Sequence, residues 1–236
     1  RSHYFWQLLR NTFALSLYSL AVGFPIPIIL ALMLNELGPR YKRLTQTILY
    51  APHFISTVVM VGIIIMILSP SYGVVNTLLK ALGHEPVYFM SLPGAFRHIY
   101  VWSGVWQGMG WNAVIYLAAL SAVSPELHEA ATIDGASKLQ RIWHINVPTI
   151  KPTIIILLIL QLGSIASVGY EKVYLLQNNL NTEVSEVIST YVYKRGILDT
   201  NYSFSSAVGL FNNVVNVTLL LVANMISRKA SDTSLF

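Results

Sequence analysis

The chain has 236 residues, of which 54% are hydrophobic and 11% charged, against about a quarter charged in ordinary soluble domains. All 25 Asp, Glu, Lys and Arg residues lie outside five stretches, 11–35, 44–79, 98–125, 152–170 and 200–227. This composition excludes a disordered chain, and the absence of cysteine excludes a disulfide scaffold. Stretches this long do not read as the alternating strands of about ten residues that build a membrane β-barrel. Since about 20 apolar residues cross the hydrocarbon core, each stretch has room for one span, and an all-α, polytopic membrane bundle is expected. The net charge of +5 comes from scattered loop residues. Its densest cluster, Arg40, Lys42 and Arg43, reads as a juxtamembrane anchor rather than a nucleic-acid patch. The chain opens on Arg1-Ser2-His3 rather than Met, so upstream sequence, conceivably another membrane helix, is expected.

In chain order, the first span is expected near 13–34, with Pro25 and Pro27 kinking it. The second follows at 56–68, and a turn-rich loop carrying Pro70, Gly73, Gly83, Pro86, Pro93 and Gly94 leads to the third, 99–120. The third differs in kind, because it holds Trp102, Trp106, Gln107, Trp111, Asn112 and Tyr116. The polar segment 121–151 precedes the fourth span, 153–168, and the fifth covers 207–226. Between the last two, in 171–202, Val184, Val187, Ile188, Tyr191 and Val192 recur at helical spacing and predict an amphipathic surface helix. Counting Lys and Arg gives eight on one face of this arrangement and seven on the other, so orientation rests on the Arg40–Arg43 cluster, which favours its side as cytoplasmic.

Several chemistries have no residues to carry them. There is no phosphate-cradling G-x-x-x-x-G-K-[ST] loop, so ATP hydrolysis is not expected of this chain. No expected span holds an interior charge of the kind proton-coupled carriers use, and the six histidines are dispersed without an H-E-x-x-H pattern. No metal site is expected, and no enzyme. In the segment 121–151, Ser124-Pro125 with Glu126 and Glu129 reads as a helix start. Gly135 permits a sharp turn, and a second helix is expected from Ser137 until Pro148 interrupts it. Small Ala130, Ala131 and Ala136 would let another protein approach closely, with Glu129 as a fixed charge for pairing. A plain surface hairpin between two spans is the alternative.

The run Glu129-Ala-Ala-Thr-Ile-Asp134-Gly135-Ala136, followed by Ile145-x-Val147-Pro148 and Pro152, resembles the signature loop of binding-protein-dependent ABC importer permeases. The stretches 11–13, 31–36, 52–56 and 116–120 are similar to the carbohydrate-uptake subgroup, above all to permeases for polysaccharides and large oligosaccharides, alginate importers among them. The resemblance implies the type I permease fold in the bacterial cytoplasmic (inner) membrane. It implies that Glu129, Ala130, Ala131, Asp134, Gly135, Ala136 and Pro148 belong to a cytoplasmic coupling loop, and that 171–202 lies outside. The partners it implies are a second permease, two cytoplasmic ATPases that hold the ATP and Mg, an external solute-binding protein, membrane lipid and a carbohydrate. Members of the family usually have six spans, so the first is expected to be missing here.

Polar side chains inside spans are costly unless they face protein or a wet path, which makes Gln107, Trp111, Asn112, Gln161 and Ser164 candidates for the substrate path. Trp111 suits stacking on a sugar's C–H face, and Gln107 or Asn112 suits hydrogen bonds to its hydroxyls. The competing reading is helix packing, since Gly104-x-x-x-Gly108 is itself a packing pattern. Asn212, Asn213 and Asn216 read as glue between helices. A stand-alone secondary transporter or channel is the alternative function, but it would want inverted repeats or in-membrane charges, and the sequence shows neither.

Overall fold

The computed structural model describes residues 3–231 and 233–235; Arg1 and Ser2, on which the expectation of an internal start rests, lie outside the described residues. Every regular element among the described residues is helical. In chain order these are α1 (His3–Gly23), α2 (Pro25–Asn35), α3 (Pro39–Tyr50), α4 (Thr57–Ile67), α5 (Val74–Ala81), α6 (Pro93–Leu120), α7 (Pro125–Ile133), α8 (Lys138–Arg141), α9 (Val147–Leu162), α10 (Tyr170–Leu176), α11 (Thr182–Ser185), α12 (Ile188–Tyr193) and α13 (Tyr202–Ser231).

Among the described residues three helices are long and apolar enough to cross a membrane: Tyr4–Asn35, Lys138–Leu162 and Tyr202–Ser231. Along α13, Leu210, Val214, Val217, Leu221 and Met225 stay exposed, as suits a helix surrounded by hydrocarbon rather than water. Of the five expected spans, two do not meet that length and composition on their own. With 11 residues, α4 is only about 16 Å long, roughly half the hydrocarbon thickness, and reaches span length only if joined to Pro39–Phe54. The chain breaks there because Pro52 sits in a 3₁₀ turn and Ser56 starts a new helix, its Oγ accepting the Val59 N–H at 3.3 Å. By contrast α6 is long enough at 28 residues, but its Trp, Tyr, Gln and Asn content keeps it below the apolar level of the other three.

The first span is interrupted where Pro25 and Pro27 predict, at Phe24 between α1 and α2. Another expectation fails at Pro148, which does not stop the second arm of the polar segment. A π-helical turn, Ile142–Asn146, widens the backbone just before it, so that the Val147 N–H bonds Ile142 O and the missing N–H of Pro148 leaves no gap in the helix. The arm therefore continues into α9. The fourth span is displaced towards the N-terminus of its expected range, ending at Leu162 rather than 168.

The chain divides into two compact units of interleaved stretches. One comprises 1–19, 55–104 and 165–216, and its interior mixes apolar side chains such as Leu15, Met60, Val101, Val173 and Val187 with a polar lattice. Asn11 Nδ2 donates to the carbonyls of Glu183 (2.8 Å) and Glu186 (3.0 Å), while Thr12 Oγ1 accepts the Ile188 N–H (3.0 Å). These bonds explain why 171–202 is not one amphipathic surface helix. The spacing of Val187 and Ile188 reflects burial in a broken chain, because Val187 opens a new helix that docks on α1. Asn216 Oδ1 accepts the Ala166 N–H (3.0 Å) and its Nδ2 donates to Ser167 Oγ (2.7 Å), so this asparagine ties α13 to the segment after α9.

In the same unit Lys172 Nζ donates to the Tyr100 carbonyl at 2.7 Å, and burial pushes its pKa down to about 8 from 10.5. Because the folded pKa lies below the unfolded one, the unfolded chain holds the extra proton between these values, and stability rises with pH across the window from about 8 to 10.5. Thermal melting followed from pH 7 to 10 in detergent is expected to show this rise. Lys172→Met is expected to flatten it.

The other unit comprises 20–54, 105–164 and 217–236. Its core is Ala31, Leu34, Ala113, Tyr116, Leu117, Leu120 and Ile150, with Leu49, Ile154 and Leu157 packed on it. The close approach in this core is made by Gly110, not by Gly104 or Gly108. A Cβ on Gly110 would strike the Leu49 carbonyl group, 2.6 Å from its carbon, whereas at Gly104 it would meet only the flexible tip of Lys172. Gly110→Ala must push the two backbones away from each other and is expected to cost about 2 kcal/mol or more. Gly209→Ala, with open space around its Cβ, is the neutral control, and detergent melting curves compare the two.

Candidate functional site

The polar segment 121–151 folds into a braced hairpin. Pro125 opens α7, and Glu126 lies in its first turn. At the far end Gly135 takes φ +82°, which L side chains rarely adopt. The Gly135 N–H bonds Thr132 O (3.1 Å) and the Ala136 N–H bonds Ala131 O (2.8 Å), the pair of bonds that closes a Schellman cap. Ser137 then starts α8 with a capping box to Gln140. Arg141 spans the two arms, Nη1 donating to Thr132 Oγ1 (2.8 Å) and to Ala136 O (3.3 Å). Sequence reasoning missed Thr132 and Arg141 as the brace, for which no local pattern exists. The capping box was missed as well, although Ser137-x-x-Gln140 is a sequence signal for it.

The expected coupling residues gather on this hairpin. Glu129, Ala130, Asp134, Gly135 and Pro148 are exposed, and Ala131 and Ala136 are half-buried. Neither Glu129 nor Asp134 is in an ion pair among the described residues. Around them four apolar side chains stand out: Leu127 at 55% exposure, Ile133 at 86%, Leu139 at 77% and Trp143 at 68%. An open cleft of about 610 Å³ lies beside them, lined by Asn35, Glu36, His128, Glu129, Thr132, Ile133 and Arg141. Four large apolar side chains are thus exposed in a polar connection, with the Glu129 and Asp134 carboxylates alongside.

The second arm of the hairpin is mechanically continuous with the membrane. Residues Lys138–Leu162 form one uninterrupted helical run of 25 residues through the π-turn. Its far end carries Gln161, which with Ser164 and Asn112 lines a small cleft of about 270 Å³ together with Phe24, Tyr116 and Leu160. Three of the five expected path residues thus share one surface. The other two are not among its lining residues. Trp111 is stacked on His53, ring centroids 4.6 Å apart and planes parallel within 1°, with Phe54 edge-on at 6.0 Å. One of its faces is therefore taken by the protein. Gln107 lies half-buried on α6 one turn before Trp111. Among the described residues no group of three His, Cys, Asp or Glu side chains is placed to share a metal ion.

Membrane-length helices, with an exposed, braced hairpin on the end of one of them, are the architecture that the known relatives of this chain share a name for. The chain belongs to the family of binding-protein-dependent transport system inner membrane components, whose model matches residues 23–232. It is 44% identical over 233 residues to Protein LplB of Bacillus subtilis (strain 168), covering 98% of this chain and 73% of that protein. With the Polygalacturonan/rhamnogalacturonan transport system permease protein YteP of the same organism it shares 41% identity over 233 residues, again 98% and 73% of the two chains. A solved bacterial alginate ABC transporter, in complex with an alginate pentasaccharide-bound periplasmic protein, superposes with TM-score 0.95 at 43% identity, covering 100% of this chain and 82% of that one. A second, a bacterial ABC transporter involved in the import of the acidic polysaccharide alginate, gives 0.94 at 44% identity over 98% and 81%. The fold is that of a type I ABC importer permease, as the signature run implies.

Proposed function

We propose that this chain is the membrane permease of an ATP-driven importer for an oligosaccharide or polysaccharide, working in the bacterial cytoplasmic membrane. In this reading it pairs with a second permease, receives sugar from an external solute-binding protein, and is driven by two cytoplasmic ATPases that hold the ATP and Mg. The hairpin 121–151 is its cytoplasmic coupling loop and 171–202 its outer segment. The observation that carries the reading is the unbroken helix from Lys138 to Leu162, because it joins the partner-shaped surface to the cleft holding Gln161. A push on Leu139 or Trp143 moves the whole rod, and with it the polar wall at its other end. ATP binding in the partner would in this way bias a two-state equilibrium between inward- and outward-open forms. The sugar class is supported by the functions of the relatives, polygalacturonan/rhamnogalacturonan transport and alginate import.

Inside the passage the work of Asn112, Gln161 and Ser164 is to offer hydrogen bonds to sugar hydroxyls in exchange for water. Losing one such bond costs about 1 kcal/mol, a several-fold change. Asn112→Ala and Gln161→Ala are therefore expected to lower ATP-driven uptake several-fold in proteoliposomes while leaving assembly intact. Trp111→Ala is expected to lower thermal stability instead, since its ring packs on His53. The function itself is tested by purifying the complex from native membranes. Co-purifying ATPase and second permease, with saccharide uptake that needs ATP and the binding protein, is the expected result. A chain that purifies alone and conducts without ATP would overturn the proposal.

A further inference from the structure

In the unit formed by 1–19, 55–104 and 165–216, a second cleft of about 410 Å³ is lined by Ala14, Tyr18, Pro93, Gly94, Arg97, His98 and Val184. Its size lies within the range of about 300–1,000 Å³ typical of ligand pockets. Its chemistry is unlike that of the Gln161 cleft, because it is cationic and aromatic. Arg97 Nη2 donates to Asn11 Oδ1 (3.0 Å), and Asn11 is itself fixed by the carbonyls of Glu183 and Glu186. The guanidinium is thus held in place by a neutral group. Its Nε is buried without a partner, and no carboxylate is within ion-pair distance among the described residues. The charge of Arg10 adds to that of Arg97.

Beside it runs a chain of hydrogen bonds. Trp102 Nε1–H donates to the Tyr18 hydroxyl oxygen (3.1 Å), and the Tyr18 hydroxyl is hydrogen-bonded to His98 Nδ1 (2.8 Å). The bond to Tyr18 holds the ring by Nδ1 and leaves its other nitrogen, Nε2, for a hydrogen bond of its own. The rings of Tyr18 and His98 meet edge to face, centroids 5.4 Å apart. An uncompensated Arg, a His held by its Nδ1 and aromatic surface in one concave site match a sugar ring that bears a carboxylate.

We propose that this cleft is a recognition site for uronate residues, in which Arg97 pairs with the sugar carboxylate and His98 hydrogen-bonds a hydroxyl of the same ring. The assignment rests on the importer reading above and names the substrate class within it, an acidic saccharide. Val184, from the segment proposed to lie outside, lines the cleft, so the site would meet sugar on the outer side. A carboxylate on the surface of the binding protein is the competing ligand. The sugar is favoured because the feature is a cleft with aromatic walls rather than an open basic patch.

The test measures binding of trigalacturonate and trimannuronate to the assembled importer in nanodiscs, each compared with its uncharged methyl ester. The acids are expected to bind at least ten-fold tighter than the esters, Arg97→Gln to remove that preference, and Arg97→Lys to keep some of it. Equal binding of acid and ester, or a preference that survives Arg97→Gln, overturns the assignment. So does an Arg97→Gln complex that loses only its capture of the binding protein, for then the arginine docks protein. If neutral saccharides are imported with ATP but no acid preference exists, the uronate site falls and the importer reading stands. If no saccharide binds or moves, both fall.

Discussion

Gly135→Pro is expected to abolish sugar uptake by the assembled importer while leaving the chain in the membrane. Proline fixes φ near −65° and has no N–H, whereas Gly135 sits at φ +82° and donates to Thr132 O. Both halves of the Schellman cap are lost together, and with them the position of Ala136, whose carbonyl anchors Arg141. The hairpin arms then separate, and the apolar tip of Leu127, Ile133, Leu139 and Trp143 no longer presents one surface. A reduction of more than ten-fold in ATP-driven uptake in proteoliposomes is the expected outcome, with insertion unchanged because the position lies outside the membrane-length helices. Gly135→Asn is the control, since Asn enters the left-handed region at modest cost and open space surrounds a Cβ there. It is expected to keep most of the activity.

Lys194→Met is expected to be the most destabilising of the single substitutions considered. The Glu186 side chain is 2% exposed, and its Oε2 pairs with Lys194 Nζ at 2.6 Å. Gln177 Nε2 (3.0 Å) and Thr190 Oγ1 (3.0 Å) donate to the same carboxylate. Removing the lysine leaves a buried charge with neutral donors only, which costs about 3–5 kcal/mol. For a chain of this length that corresponds to a fall in melting temperature of roughly 6–12 °C or more. Because Glu186 O and Glu183 O both hold Asn11, the loss should also loosen the contact between α1 and the 171–202 segment. Glu186→Gln combined with Lys194→Met removes the orphaned charge, and its melting temperature is expected to recover most of the difference.

What the sequence made legible was local. The turn at Gly135 could be read because glycine tolerates positive φ between the helix opened by Pro125 and the one expected from Ser137. The break at Phe24 followed from Pro25 and Pro27. Hydrophobic content, however, does not give helix length: 44–79 is free of charge from end to end, yet Pro52 and the Ser56 cap divide it into pieces too short to span alone. The spacing of Val184, Val187, Ile188, Tyr191 and Val192 looked like one helical face. In the fold Val187 and Ile188 are buried, where hydrogen bonds tie Glu183 to Asn11 and Ile188 to Thr12, partners more than 170 positions away that no periodicity reports. Trp111 shows the limit for sites. Its residue type fits a sugar platform, but whether a face is free depends on His53, which packs on it from a distant stretch of the chain. Pro148 failed as a stop signal because the widening π-turn that accommodates it has no sequence mark.

The central claim is that the hairpin 121–151 transmits the work of a separate ATPase, and contact from the hairpin itself tests it most directly. The chain has no native cysteine, so Leu139→Cys, at 77% exposure, provides a single attachment point. A short bifunctional thiol cross-linker applied to native membranes is predicted to join Leu139→Cys to the ATP-hydrolysing subunit, with a yield that changes when ATP is trapped. Labelling of that cysteine by an impermeant reagent in intact cells, or a cross-link to no ATPase under either condition, would contradict the account.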